Sequence, residues 1–587
     1  MSHVYQKNYE CTFLSPFTRG EYGDGLTPLT NLEMSIIEIL EQIKNKKRWN
    51  NKIKDNCIRQ KWISELSQKY SNKVIEYAIS ELLYYSEKFP DKIVPGPVDK
   101  IYVADDLIFP MNSIKFLTCV SRLESDNQNN QDWHPGSDNQ VLDLVHPSMY
   151  PLIYGVSHIA LTDVLSFKVL DWRDEIGKGS ILNYVAPLPE KINVNSWYSS
   201  NEPTFTERYR SKKYQWLPSE FDISNNKVKI LSYINNLHPE KYKDMYTAIE
   251  SIFEQFIPLF NNCLSDSCKE NVKPNRIDPD SYCIEDFHTY KKRVKGSYKK
   301  DSASELNQNR LDSNVLTYES SDKSDDEDSE DDDLYGNYYE HRIIDEPEQI
   351  SFSYHNISEN KVNIDLSNSR LQVIVKLANI ILTPEKPKFK GGHWHVEGMQ
   401  NEDIVATGIY YYDQENVSES SLAFRAAICE PEYEQDDHRG VIETFSIQDN
   451  LPLNQYLGSV STHKGRCLAF PNLYQHRVEP FELQDKTIMG FRKILCFFLV
   501  NPNNRIYSTA NIPPQQKYWF KQEILGFQSK LSLIPEPVFN EIFNFLRWPI
   551  DLNSAKKYRE KLMDERKYYL DSVNKDIFER PFSLCEH

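Results

Sequence analysis

Leu371-Gln-Val-Ile-Val-Lys-Leu-Ala-Asn-Ile-Ile-Leu382 marks the point at which this chain changes character. Its β-branched, apolar composition predicts a strand. Five short β-branched or aromatic runs follow, at Val405–Tyr412, Leu422–Ile428, Val441–Phe445, Arg466–Phe470 and Lys493–Val500, separated by Gly, Pro, Asn and Asp. Six such runs within about 130 residues predict an antiparallel barrel or sandwich.

On either side the pattern is helical. Leu32–Ile43 and Val74–Leu83 repeat apolar residues at helical spacing, and Tyr242–Leu264 reads as a long amphipathic helix. Asp126–Pro151 is Pro- and Asn-rich and reads as a connector; Val228–Ile234 reads as a strand followed by a turn at Asn235-Asn236. After the β-rich part, Phe539–Leu546 and Ala555–Leu570 return to helical patterning and predict a cover on its outside. The fold class is therefore α+β. The expected divisions are a mostly helical region at 1–290, contributing a strand near 228–234, then an insertion at 291–345, a β core at 346–510 and a helical segment at 511–587.

The insertion stands out by composition. A basic cluster (Lys291, Lys292, Arg293, Lys295, Lys299, Lys300) precedes Ser/Asn-rich sequence and an acidic run, Glu319–Asp333, in which ten acids face Lys323 alone. Such a segment lacks the apolar surface needed to order itself. The basic cluster reads as a nuclear import signal or simply as a solvated charge run, and Ser321, Ser324 and Ser329 are placed for acid-directed phosphorylation.

Composition excludes several classes. Of 587 residues 39% are hydrophobic and 12% aromatic, so most of the chain has the means to fold. The longest unbroken apolar run, Ile494–Val500, is too short to span a bilayer, and the N-terminus has no secretory pattern, which predicts an intracellular protein, cytoplasmic or nuclear. Ten cysteines without CxxC spacing read as reduced thiols; the nearest pair, Cys263 and Cys268, is a poor zinc candidate. The net charge of -18 lies half in the acidic run, so no phosphate-binding surface and no nucleic-acid partner is expected. GxSxG, a Walker-type loop and GxGxxG are all absent.

The densest group of metal-capable side chains is Gly391-Gly392-His393-Trp394-His395-Val396-Glu397-Gly398. On a strand, His395 and Glu397 share a face. His476 follows in Tyr474-Gln-His476-Arg-Val478-Glu-Pro480, and Arg492 opens an apolar strand after Gly490. Two imidazoles and one carboxylate leave adjacent positions on a metal open, as in non-haem iron(II) oxygenases, and an arginine on a neighbouring strand suits the far carboxylate of a dicarboxylic acid. His393 is the competing ligand, in a cupin-like His393/His395/His476 set, but the cupin acid is expected four residues on, where Glu397 follows at two. His341, His438 and His463 sit in polar sequence and read as surface residues, while Arg425 reads equally as a substrate contact or an ion-pair partner.

The order HxE, IYYY, H-x-V-x-P and G-x-R from Leu371 to Pro502 resembles the double-stranded β-helix (jelly roll) of Fe(II)/2-oxoglutarate-dependent oxygenases, in their prolyl-hydroxylase-like branch. LQVIVKLANIILTPEKP, GGHWHVEGMQNEDIVATGIYYYD, LAFPNLYQHRVEPF and KILSYINNLHP are similar, more closely, to a mainly fungal domain-of-unknown-function family, number 4246 in its series. The resemblance implies His395, Glu397 and His476 as iron ligands, Arg492 as anchor of the 2-oxoglutarate 5-carboxylate, and Tyr411 as a hydrogen-bond donor to the same co-substrate. It implies Fe(II), 2-oxoglutarate and O2 as cofactor and co-substrates of a hydroxylase or demethylase. Two features depart from the pattern: Glu397 stands where Asp is usual, and the interval from His476 to Arg492 is long, which makes Lys493 the alternative anchor. The large helical region leaves room for a protein or peptide substrate. The reading from another class is a non-catalytic β-helix scaffold with a degenerate metal site; metal-dependent hydrolysis at the same triad is a third.

Overall fold

β6 (Ser369–Leu382) is buried along almost its whole length, which is the reason its apolar residues run on without alternating: both of its faces are covered. The computed structural model that shows this describes residues 9–17, 26–160, 168–169, 171–183, 209–269, 271, 275–295, 334–335, 337–353, 362–434, 437–526, 533–546 and 548–584. Numbered along the chain, β6 is preceded by β1 (Ile93–Pro95), β2 (Tyr102–Asp105), β3 (Val141–Val145), β4 (Ser219–Ser224) and β5 (Lys227–Ile230). It is followed by β7 (Ile404–Glu415), β8 (Ser420–Ala427), β9 (Asn454–Thr462), β10 (Arg466–Pro471), β11 (Gln475–Val478) and β12 (Gly490–Val500). A larger antiparallel, open sheet runs β1-β2-β10-β7-β12-β6-β4-β5, with β3 also beside β6; a smaller one runs β9-β8-β11.

Helices cover one face of the larger sheet. The long amphipathic helix runs from Lys243 to Ser267, and its Phe253 and Phe256 rings lie 5.1 and 5.3 Å from Phe497 of β12. Gly408 of β7 makes this approach possible, since a Cβ there would come within 2.8 Å of the Phe256 and Phe260 rings. The opposite face packs on the smaller sheet. Leu422, Phe424 and Val460 are buried against Ile409, Phe470 and Phe498, with the Phe424 and Phe470 rings edge to face at 5.1 Å. The N-terminal helix Asn31–Lys44, capped by Thr30 at the Glu33 N–H, buries Leu32, Ile36, Ile39, Leu40 and Ile43 in the same core. Leu552–Val573 covers the C-terminal side and buries Ala555 and Leu562 there.

Four expectations need correcting. The region before 290 supplies five of the nine strands described in the larger sheet, where one was expected. β1 and β2 have three and four residues, too short to show a period. The connector Asp126–Pro151 contains β3, which pairs with Leu377–Ile380 of β6. Val441–Phe445, expected as a strand, lies in the helix His438–Phe445: Asp437 caps it at the Gly440 N–H, and Val441 and Phe445 are buried while Ile442 is exposed. A five-residue apolar run is compatible with either state, and the cap decides it. Finally, the described ends of the expected insertion are folded. Residues 287–295 are helical, Cys283–Ile284 pairs with Ile344–Asp345, and Arg293 bonds Glu285 at 2.7 and 2.9 Å. Lys299, Lys300 and the run Glu319–Asp333 with its serines lie outside the described residues.

Cys57, Cys119, Cys263, Cys283, Cys467 and Cys496 are free thiols. Among the described residues no helix is long and apolar enough to cross a membrane.

β2 is fastened to β10 by Asp105, whose carboxylate accepts from Arg466 Nε (2.8 Å) and Nη2 (3.1 Å) and lies 3.1 Å from His463 Nε2. Burial alone would raise its pKa, but the bonds from His463 and Arg466 outweigh it and hold the carboxyl below its ordinary range. A group that is more acidic folded than unfolded contributes stability above its unfolded value of about 4 and loses it as pH falls below that. Asp105→Asn should therefore flatten the acid limb of a urea-midpoint-versus-pH curve by about 1–3 kcal/mol; superimposable curves for the two proteins would refute this.

Candidate metal centre

Residues 391–398 do not form the regular strand expected of them. They meet β11 through one isolated bridge, His395 N to His476 O at 3.2 Å and His476 N to His395 O at 3.0 Å, and through Gly392 N, which donates to Val478 O at 2.9 Å. Gly391 permits the approach: its φ is +91°, and a Cβ would come within 2.8 Å of Val478 O. The bridge puts His395 directly against His476, with ring centroids 4.3 Å apart. Glu397 is held by Asn472, whose Oδ1 accepts from Glu397 N (2.8 Å) and whose Nδ2 donates to Glu397 O (2.9 Å).

Glu397 Oε1 consequently lies 3.8 Å from His395 Nε2 and 3.5 Å from His476 Nε2. The three side chains form a group able to hold a metal ion. Separations of this size suit an ion held about 2.1 Å from each donor. His395 Nδ1 bonds the His393 carbonyl at 2.8 Å, which puts the proton on Nδ1 and leaves the Nε2 lone pair toward Glu397. Burial would raise the Glu397 pKa, yet the two imidazoles beside it hold it well below the ordinary value. Burial pushes His476 down to about 4. Burial would also lower His395, but Glu397 overrides that and raises it. An ionised carboxylate beside a neutral imidazole is the protonation state a divalent cation requires.

Arg492 opens β12 on the face that also carries Cys496 and Phe498 and is only 1% exposed. Its Nη1 donates to Ser420 Oγ (2.7 Å) and Thr462 Oγ1 (3.1 Å), its Nε has no partner, and among the described residues no carboxylate pairs with it. Tyr411 is buried beside it, 5.6 Å from ring to guanidinium, with a phenol that burial pushes up. Lys493 points to the other face and pairs with Glu124 at 2.8 Å, away from Arg492.

The remaining candidates separate from this group. His393 is exposed and contributes its carbonyl, which favours the His395/Glu397/His476 register over the cupin-like one. His341 and His438 are exposed, and His463 belongs to the Asp105 pair. Arg425 bonds Gln475 and Glu579, both at 2.7 Å, and stacks on Trp394. Cys263 and Cys268 are buried in the helical core and belong to no metal-capable group among the described residues.

Sequence reading missed the residues that support the centre. Glu402 is fully buried; it accepts from Trp216 N (2.7 Å), Met399 N (2.7 Å) and Arg566 Nη2 (2.6 Å), which fixes the turn after Glu397. Ser420 and Thr462 were missed because hydroxyls in strands carry no signal of their partners. A second metal-capable group, His134, Asp143 and His146, was hidden inside the supposed connector; its signal is H-x8-D-x2-H across a Pro-Gly turn.

No curated protein matches the chain. Among the solved structures that share short stretches with it are two with dissimilar sequences. IDO from Bacillus thuringiensis is 13% identical over 22% of this chain and 46% of its own, with a TM-score of 0.15. TqaL, titled an Fe(II)/(alpha)ketoglutarate-dependent dioxygenase, is 17% identical over 25% of this chain and 48% of its own, also with a TM-score of 0.15. The chain thus spans about half the length of each. Residues 72–523 match the family described as Protein of unknown function (DUF4246), and residues 2–65 match that family's N-terminal domain, so the chain belongs to this family.

Proposed function

We propose that this chain is an Fe(II)- and 2-oxoglutarate-dependent oxygenase, its two packed sheets forming a double-stranded β-helix around the site. The observation that carries the reading is Arg492: a buried guanidinium with no carboxylate partner among the described residues, reaching from the larger sheet to Ser420 and Thr462 of the smaller one, between the same two sheets as the His476 ring. Leaving a charge desolvated and unpaired is expensive, and an anionic ligand removes that penalty.

His395, Glu397 and His476 would hold iron(II) on one side, and the orphaned Arg492 Nε fits a ligand carboxylate. Bound iron supplies the redox chemistry by which O2 and a 2-oxo acid oxidise a C–H bond, releasing CO2 and succinate. Arg492 orients the far carboxylate of 2-oxoglutarate by a two-pronged contact, with Ser420 and Thr462 fixing the guanidinium. Tyr411 borders the same space and would donate a hydrogen bond from its hydroxyl to the co-substrate. Phe424 and Phe470, packed around His476, exclude water from the reacting side.

A crystal soaked under argon with iron(II) and 2-oxoglutarate tests this. We expect metal bound by the three side chains and a carboxylate on Arg492, and aerobic protein should form succinate from 2-oxoglutarate. Metal bound without co-substrate on Arg492, and turnover that persists without O2, would instead make the centre a hydrolytic one.

A further inference from the structure

We propose that His134, Asp143 and His146 form a second divalent-cation site, separate from the His395 centre and open to a cavity walled in part by Tyr518, Phe543 and Leu552 of the C-terminal segment. The local sequence builds it. Pro135-Gly136, with Gly136 at φ +78°, turns the chain so that Asp132–His134 runs back against Val141–Asp143. His134 N donates to Val141 O at 2.8 Å and Asp143 N to Asp132 O at 2.9 Å. β3 ends at Val145, and that break frees His146 to join Asp143, which lies three residues earlier and would be on the opposite face of a continuing strand.

The donors converge. One ligand atom from each residue lies within 4.8 Å of the others, His134 Nδ1 donates to Asp143 Oδ2 at 2.8 Å with a proton that a bound cation would displace, and the two imidazole centroids are 5.1 Å apart. His146 Nδ1 accepts a long bond from Ser148 N (3.2 Å), so that ring is neutral and this nitrogen carries a lone pair. The second, independent observation is Asp143 itself. Its side chain is 1% exposed, and its Oδ1 is buried with no hydrogen-bond partner. A carboxylate oxygen so placed has lost its hydration without replacement unless something occupies it, and a cation between two imidazoles does so.

Two nitrogens and one carboxylate oxygen are the donor set of open zinc-type sites, in which the remaining position holds water or a ligand. Asp143 and His146 lie on the wall of a cavity of about 970 Å3, so the open position faces a space large enough for a small molecule. The ligand class is therefore a borderline divalent ion, zinc(II) or iron(II), with an exchangeable ligand on the cavity side.

Metal counting tests the assignment independently of the oxygenase reading. Chelator-stripped full-length protein is titrated with cobalt(II) and zinc(II), following cobalt d–d absorption and bound zinc by mass analysis. We expect two equivalents per chain in the wild type, one in His134→Ala, one in His395→Ala/Glu397→Ala, and none in the combined variant. His134 is partly exposed, which spares the fold, and the near-isosteric Asp143→Asn should give the same count as His134→Ala. A wild-type count that both His134→Ala and Asp143→Asn retain, with near-ultraviolet circular dichroism unchanged, overturns the proposal. A single wild-type equivalent lost only with His395 and Glu397 overturns it too, while one lost only with His134 supports it and removes the metal from the His395 centre.

Discussion

Replacing Arg492 with methionine should weaken 2-oxoglutarate binding by about 100- to 1000-fold while leaving the ligand-free chain at least as resistant to urea as the wild type. The first half follows from burial. Removing one partner of a buried, charge-assisted pair costs about 2–5 kcal/mol of affinity, and about 1.4 kcal/mol is a factor of ten. The second half follows from what surrounds the guanidinium without ligand: two hydroxyls, a partnerless Nε and the rings of Tyr411 and Phe481 at 5.6 and 4.6 Å. An uncompensated buried cation opposes folding, and burial does push this guanidinium pKa down. Methionine fills much of the same volume and removes the charge. The hydroxyls left behind still bond each other at 2.7 Å, and Thr462 Oγ1 donates to Ser420 O at 2.9 Å. Arg492→Lys should fall between, since an ammonium keeps the charge and loses the fork. Anaerobic titration of iron(II)-loaded protein with 2-oxoglutarate, alongside urea unfolding of the apo protein, reads both quantities. Unchanged affinity would end the anchor assignment, and a loss of more than about 2 kcal/mol in the apo protein would make Arg492 a structural residue.

Glu402→Ala should lower unfolding free energy by about 3–5 kcal/mol and weaken metal binding at the His395 centre by about 10- to 100-fold. Glu402 stands five residues after Glu397, and its carboxylate joins three otherwise separate pieces: the Met399 turn, the Trp216 backbone and Arg566 of the C-terminal helix. Arg566 lies 3.8 Å from the Trp216 ring centroid, so the cation is held by one carboxylate and one indole. Alanine would strand that guanidinium and orphan two backbone N–H groups. Glu402→Gln keeps an acceptor and should cost about 1–3 kcal/mol. Chemical denaturation measures the first effect and competition with a chromophoric chelator the second. A Glu402→Ala midpoint indistinguishable from wild type would show that the turn needs no such clamp.

Much of the β architecture and one corner of the site were legible in the residues alone. β6, β7 and β12 are long enough, and rich enough in β-branched and aromatic side chains, for composition to decide their state. The helix from Lys243 to Ser267 announced itself by a period sustained over some six turns. HxE is a local spacing, so pairing His395 with Glu397 needed no tertiary information. Short elements were not legible. β2 and β3 derive their state from pairing with β10 and β6 far along the chain, β1 from pairing with β2, and His438–Phe445 from one capping carboxylate.

What the amino-acid order determined by itself is chemistry: which groups ionise, which ligate, and where apolar runs must find cover. Only the tertiary structure decided partnership. It set His476 against His395 through one backbone bridge, turned Lys493 away to Glu124 while leaving Arg492 without a carboxylate among the described residues, and gathered His134, Asp143 and His146 around a strand end. The physical reason is range. Propensity and periodicity act over a few residues, whereas desolvation and donor geometry depend on atoms brought together from distant parts of the chain.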